Sequence, residues 1–134
     1  MSCVGFWPTR SRHLVAVVVD DDGQPGPQLR AARTDEACWA LLAYLEAAEG
    51  LDFELVLPDW LARSTPIVRI ALERGVPVWL VTDALVEALR VVGRLGLGPP
   101  RRTAAALARL PLTTVFRAQM RRVVQGDRRQ LALW

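Results

Sequence analysis

The chain has 134 residues, 51% of them hydrophobic, with 17 basic side chains, 14 acidic ones and a single histidine, for a formal net charge of +3. That length predicts one domain, able to bury a core without disulfides or metals, and no apolar run reaches the roughly 18 residues of a membrane-spanning helix. Met1 to Arg12 lacks the basic start, apolar middle and small-residue cleavage site of a secretory signal, so a cytoplasmic protein with no membrane partner is expected.

In chain order, Val4 to Trp7 is a short apolar run and Pro8 to Arg12 a turn. His13 to Asp20 is the strongest strand, dominated by β-branched valines with both faces apolar. Asp20 to Pro27 holds two glycines and two prolines and reads as a turn, and Gln28 to Arg33 as a more polar strand suited to a sheet edge. Three strands joined by short turns make an antiparallel meander. Thr34 caps a first helix with Asp35 and Glu36 in its first turn, and Cys38, Leu41, Leu42, Leu45 and Ala48 along one side before Gly50.

Leu51 to Leu57 is a fourth strand, stopped by Pro58 and Asp59. Thr65 and Pro66 start a second helix that carries Ile67, Ile70 and Ala71 and closes at Gly75. Val76 to Val81 is a fifth strand. Thr82 and Asp83 then open a third helix whose buried face is Leu85, Val86, Leu89 and Val92. Strands joined by such helices are parallel, with right-handed crossovers. Gly96 to Pro100 reads as a linker and Arg101 to Leu110 as a helix. Thr113 or Thr114 caps another, with Phe116, Met120, Val123 and Val124 inward and Arg117, Arg121 and Gln125 outward. Residues 127–134 fit either a helical turn or a strand. The predicted organisation is an α/β core over 1–97, with a five-stranded mixed sheet, and an arginine-rich helical extension over 98–134.

All 17 basic residues are arginine, and they are unevenly spread: seven against 13 acids through Glu87, then ten against the single Asp127. The basic segment makes Arg101, Arg102, Arg117, Arg121, Arg122 and Arg128 the candidates for contacting nucleic-acid phosphates. The alternative is that this segment folds back on the acidic body or pairs with a second copy. Among the five tryptophans, Trp79 reads as core, and Trp39, Trp60 and Trp134 as interface candidates for a homodimer. Asp20, Asp21 and Asp22 before Gly23 read as an acidic turn rather than a cation site, and His13 as a surface or core residue rather than a catalytic one. Cys3 and Cys38 lack metal-ligand spacing and read as free thiols.

Three meandering strands followed by alternating helices and strands are the order of the RNase H-like fold. The runs Val4-Gly5-Phe6-Trp7, His13 to Asp20, Leu55 to Pro58, Gly75 to Val78 and Ala88 to Leu95 resemble, over about residues 4 to 110, the RuvC-like nuclease domain of the DEDD transposases. The resemblance implies four carboxylates holding two divalent metals for phosphodiester cleavage. At the matching places this chain has Trp7, Pro58 with Asp59 one position late, and the acid-free run Gly98 to Thr103. No catalytic residue, metal ligand or cofactor is therefore assigned. The expected function is a non-catalytic RNase H-like domain associated with nucleic acid. A self-associating scaffold protein is the alternative, and a nuclease with a rearranged site on Asp20, Asp59 or Asp83 the third reading.

Overall fold

The computed structural model describes residues 1–50, 52–96 and 98–124. Strands β1 (Ser2–Pro8), β2 (His13–Val19) and β3 (Pro25–Ala32) form the meander, followed by helix α1 (Asp35–Glu49), β4 (Phe53–Pro58), the short α2 (Asp59–Arg63) and α3 (Ile67–Glu73). Then come β5 (Val78–Val81), α4 (Asp83–Val91), α5 (Pro100–Arg109), the single turn α6 (Thr114–Arg117) and β6 (Met120–Val123). The sheet runs β3-β2-β1-β4-β5-β6, with β1, β4 and β5 mutually parallel and β2, β3 and β6 antiparallel to their neighbours.

The helix starts obey their sequence signals. Thr34 Oγ1 accepts from the Ala37 N–H at 3.2 Å and Thr82 Oγ1 from the Leu85 N–H at 3.3 Å, satisfying donors that the first turn leaves free. Thr65 Oγ1 accepts from Ile67 N–H ahead of α3, and Gly75 turns the chain out of it at φ 78°. Cys3 and Cys38 are free and buried, and burial pushes the Cys3 thiol up to about 11, leaving it without the thiolate a nucleophile needs.

Alternation along the strands divides the interior into two layers. Val4, Phe6, Leu14, Ala16, Leu55 and Leu57 face α1 and α3, while Val15, Val17, Val19 and Val56 face α4 and α5. Helix α5 lies against β1 and β2 through Ala104, Ala105, Leu107 and Ala108, all buried. Its alanines let the backbone come down on Gly5, where a Cβ would lie 1.9 Å from the Ala104 carbonyl oxygen.

Several sequence expectations change. The sheet has six strands, because Met120 to Val123 leaves the expected helix and pairs antiparallel with β5, in the register Val78↔Val123 to Val81↔Met120. The open edge of β5 offers backbone partners that a lone, arginine-rich helical turn lacks, so α6 stops at Arg117. The third strand starts at Pro25 rather than Gln28, with a register shift between Val17 and Val19 absorbing the extra residues. Val92 is exposed, because α4 ends at Val91 and Val92 leaves its buried track.

Candidate functional site: the carboxyl edge and an arginine groove

Because β1, β4 and β5 are parallel, their carboxyl ends share one edge of the sheet, the edge at which open α/β sheets hold ligands. Trp7 ends the inward face of β1, and Trp60 lies in α2 directly after β4. Their rings meet edge to face, with centroids 5.6 Å apart and planes at 83°. Beside them is Asp59, whose side chain is only 17% exposed; its Oδ1 lies 3.7 Å from Nη2 of Arg121 and has no hydrogen-bond partner among the described residues.

The resemblance noted in the sequence implies divalent metals at this edge, and the side-chain donors there do not fit them. The side chains of Trp7 and Pro58 offer no oxygen ligand, and among the described residues no three His, Cys, Asp or Glu side chains are grouped so as to hold a metal ion. Asp59 instead faces a guanidinium, which would repel a cation.

Burial raises the Asp59 carboxyl above its ordinary value; Arg121 pulls it down and Asp83 adds to the rise. An acid with a raised folded pKa favours the folded state while protonated, and that stability is lost as pH rises through the folded value. Asp59→Asn, neutral at every pH, is therefore expected to be at least as stable as wild type near neutrality, with the two converging in acid. A lower melting temperature for the variant at neutral pH would show that the attraction of Arg121 outweighs the cost of burying the carboxylate.

The remaining sequence candidates fall in different places. Arg122 donates through Nε to Glu54 Oε1 at 2.7 Å, where Glu54 is only 4% exposed, and its guanidinium lies 6.0 Å from the Trp79 ring centroid. Arg117 is exposed and donates to the Pro111 carbonyl. Arg121 and Arg122 thus turn back onto acids of the body. Arg128 and Trp134 lie outside the described residues. Trp79, expected in the core, is only partly buried. Trp39 is 53% exposed, with the Arg74 guanidinium 4.3 Å from its ring centroid and Arg74 Nε donating to Glu46 at 2.6 Å.

Asp20 accepts from the Asp22 and Gln24 amides, as an acidic turn does, and Asp21 pairs with the Met1 amine. The His13 ring bonds locally with Ser11.

Arg101 and Arg102 are exposed at the start of α5, where they join arginines far away in sequence. One depression between α5 and the β2–β3 pair is lined by Arg101, Arg102, Arg109 and Gln28, and an adjoining one by Arg10, Arg30 and the same Gln28. Sequence reasoning missed Arg10, Arg30 and Arg109. The usable signal was the period-2 pattern of the third strand, which puts Gln28 and Arg30 on one face, opposite Val17 and Val15.

These features define the class: a three-layer α/β domain with an RNase H-like fold. The chain is similar to the Thermus thermophilus RuvC structure, with a TM-score of 0.55 and 15% sequence identity over 92% of this chain and 100% of that one. No family model matches the chain, and no curated protein matches it. Among the described residues no helix is long and apolar enough to cross a membrane.

Proposed function

We propose that the protein is a non-catalytic RNase H-like module that associates with nucleic acid, a degenerate relative of the RuvC-like domain of DEDD transposases. The observation that carries this reading is the Trp7–Trp60 pair at the ends of β1 and β4, beside an Asp59 matched with Arg121. Aromatic rings and a guanidinium replace the oxygen ligands that two-metal phosphodiester chemistry needs. Nucleic-acid association is supported by the arginines at α5, which have no acidic partner among the described residues.

The test incubates the intact protein with labelled DNA and RNA in Mg²⁺ and in Mn²⁺ and measures retention and cleavage together. Retention at low salt that weakens as salt rises, without cleavage, is the expected result. Divalent-dependent cleavage that disappears in Asp59→Ala would replace this reading with that of a rearranged nuclease.

A second reading, a self-associating scaffold, is favoured by the outer face of α1. Trp39 and Tyr44 are 53% and 56% exposed there, and Ala40, Ala47 and Ala48 are exposed beside them. An outward helix face with so little charge is unusual on an isolated monomer. Light scattering that gives a monomer at high concentration would remove it.

A further inference from the structure

Resting on the nucleic-acid reading above, we infer that the groove between α5 and the β2–β3 pair is the surface that grips the backbone of a nucleic-acid duplex, through Arg10, Arg30, Arg101, Arg102 and Arg109. The tail arginines Arg121 and Arg122 are not the grip, because they are already matched with Asp59 and Glu54.

The shape comes first. The two depressions share Gln28 and so form one trough, whose floor includes Val15 and Val17. Its wall is α5, ten residues or about 15 Å long, on which Arg102, Ala105 and Arg109 lie on one side at helical spacing. The other wall is the edge strand, where Arg30 stands opposite Val15 and Gln28 opposite Val17.

Charge comes next. No acidic side chain lines either depression, and none of the five arginines belongs to an ion pair among the described residues. Among the described residues Arg30 donates to the Ser11 hydroxyl, at 3.4 Å, and Arg109 to the Gly23 carbonyl, at 2.9 Å. Positive charge concentrated along a trough attracts a polyanion, and guanidinium forks suit phosphate oxygens.

The position of Arg101 and Arg102 is an independent sign. They occupy the first turn of α5, which has no acidic residue, whereas α1 and α4 start with Asp35, Glu36 and Asp83. Cations at a helix N-terminus oppose the helix dipole, so this pair works against the helix that carries it. A local rule broken without structural gain is the pattern expected where a ligand is bound. The lining residues include no aromatic side chain, so the trough has no platform for stacking splayed bases, which favours the backbone of a duplex over a single strand.

The test is fluorescence anisotropy with the intact protein and a mixed-sequence DNA duplex across a salt series, with the matching single strand and poly-glutamate as competitors. With four or five phosphate contacts, the log-log salt slope should be about −3.6 to −4.5 for wild type. Arg101→Gln with Arg102→Gln should make that slope shallower by about 2, as should Arg10→Gln with Arg30→Gln. The first pair should also leave the melting temperature unchanged or raised, an outcome a merely structural role would not give. Arg69→Gln, on the opposite layer, should change nothing. If wild type binds the duplex but both groove pairs keep its slope, the groove is the wrong surface while nucleic-acid association survives. If wild type does not bind at low salt, the reading beneath it fails as well. Displacement by poly-glutamate or by the single strand as effective as by the duplex would overturn the choice of partner.

Discussion

Gly5→Ala is expected to destabilise the protein by at least about 3 kcal/mol, at or beyond the upper end of ordinary overpacking. The added Cβ would lie 1.9 Å from the Ala104 carbonyl oxygen and 2.8 Å from the Ala108 amide nitrogen. Both are backbone atoms of α5, so no rotamer change relieves the clash and no side-chain truncation on the helix makes room. Either α5 lifts off β1, uncovering Val15, Val17 and Val56, or the strand is displaced. A domain of this size has a total stability of about 5–15 kcal/mol, so a loss of this size removes a large share. Urea denaturation followed through the five tryptophans measures it directly. A loss below about 1 kcal/mol would mean that α5 does not sit this close to the sheet.

The adjacent residue carries the opposite requirement. Phe6 points to the other layer, is fully buried, and is among the largest side chains of that core. Phe6→Ala should cost about 3–5 kcal/mol, because the lost transfer energy is joined by a cavity that surrounding side chains fill only partly. Calorimetric melting compared with wild type provides the measurement, and Phe6→Leu should recover much of the loss by restoring volume. Equal losses for Ala and Leu would show that ring shape rather than volume is required. Neighbours on one strand thus have opposed tolerances, one unable to grow and the other unable to shrink.

Much of this architecture was legible in the residues. Thr34, Thr82 and Gly75 carry local chemistry that acts within a turn, and the valine runs of β2 and β5 have no stable alternative to burial. What escaped was decided by distant partners. Met120-Arg121-Arg122-Val123 is too short for its period to separate helix from strand, and the free edge of β5 settled the matter. The groove was hidden for the same reason. Arg10, Arg30 and Arg109 lie in a turn, an edge strand and a late helix, and only the packing of α5 on β2 brings them together. Counting charge along the chain pointed to Arg101 and Arg102 of the groove, but equally to Arg121 and Arg122, whose acids Asp59 and Glu54 come from the opposite half of the sequence.

The closeness of α5 to Gly5 also bears on how the polypeptide emerges during synthesis. Strand β1 is covered on one face by a segment made about a hundred residues later. Until that segment arrives, a valine-rich surface has no native cover and remains open to off-pathway association. Nascent chains halted before residue 100 should therefore be sticky and chaperone-dependent, and release of that dependence should coincide with translation of the alanine-rich helix.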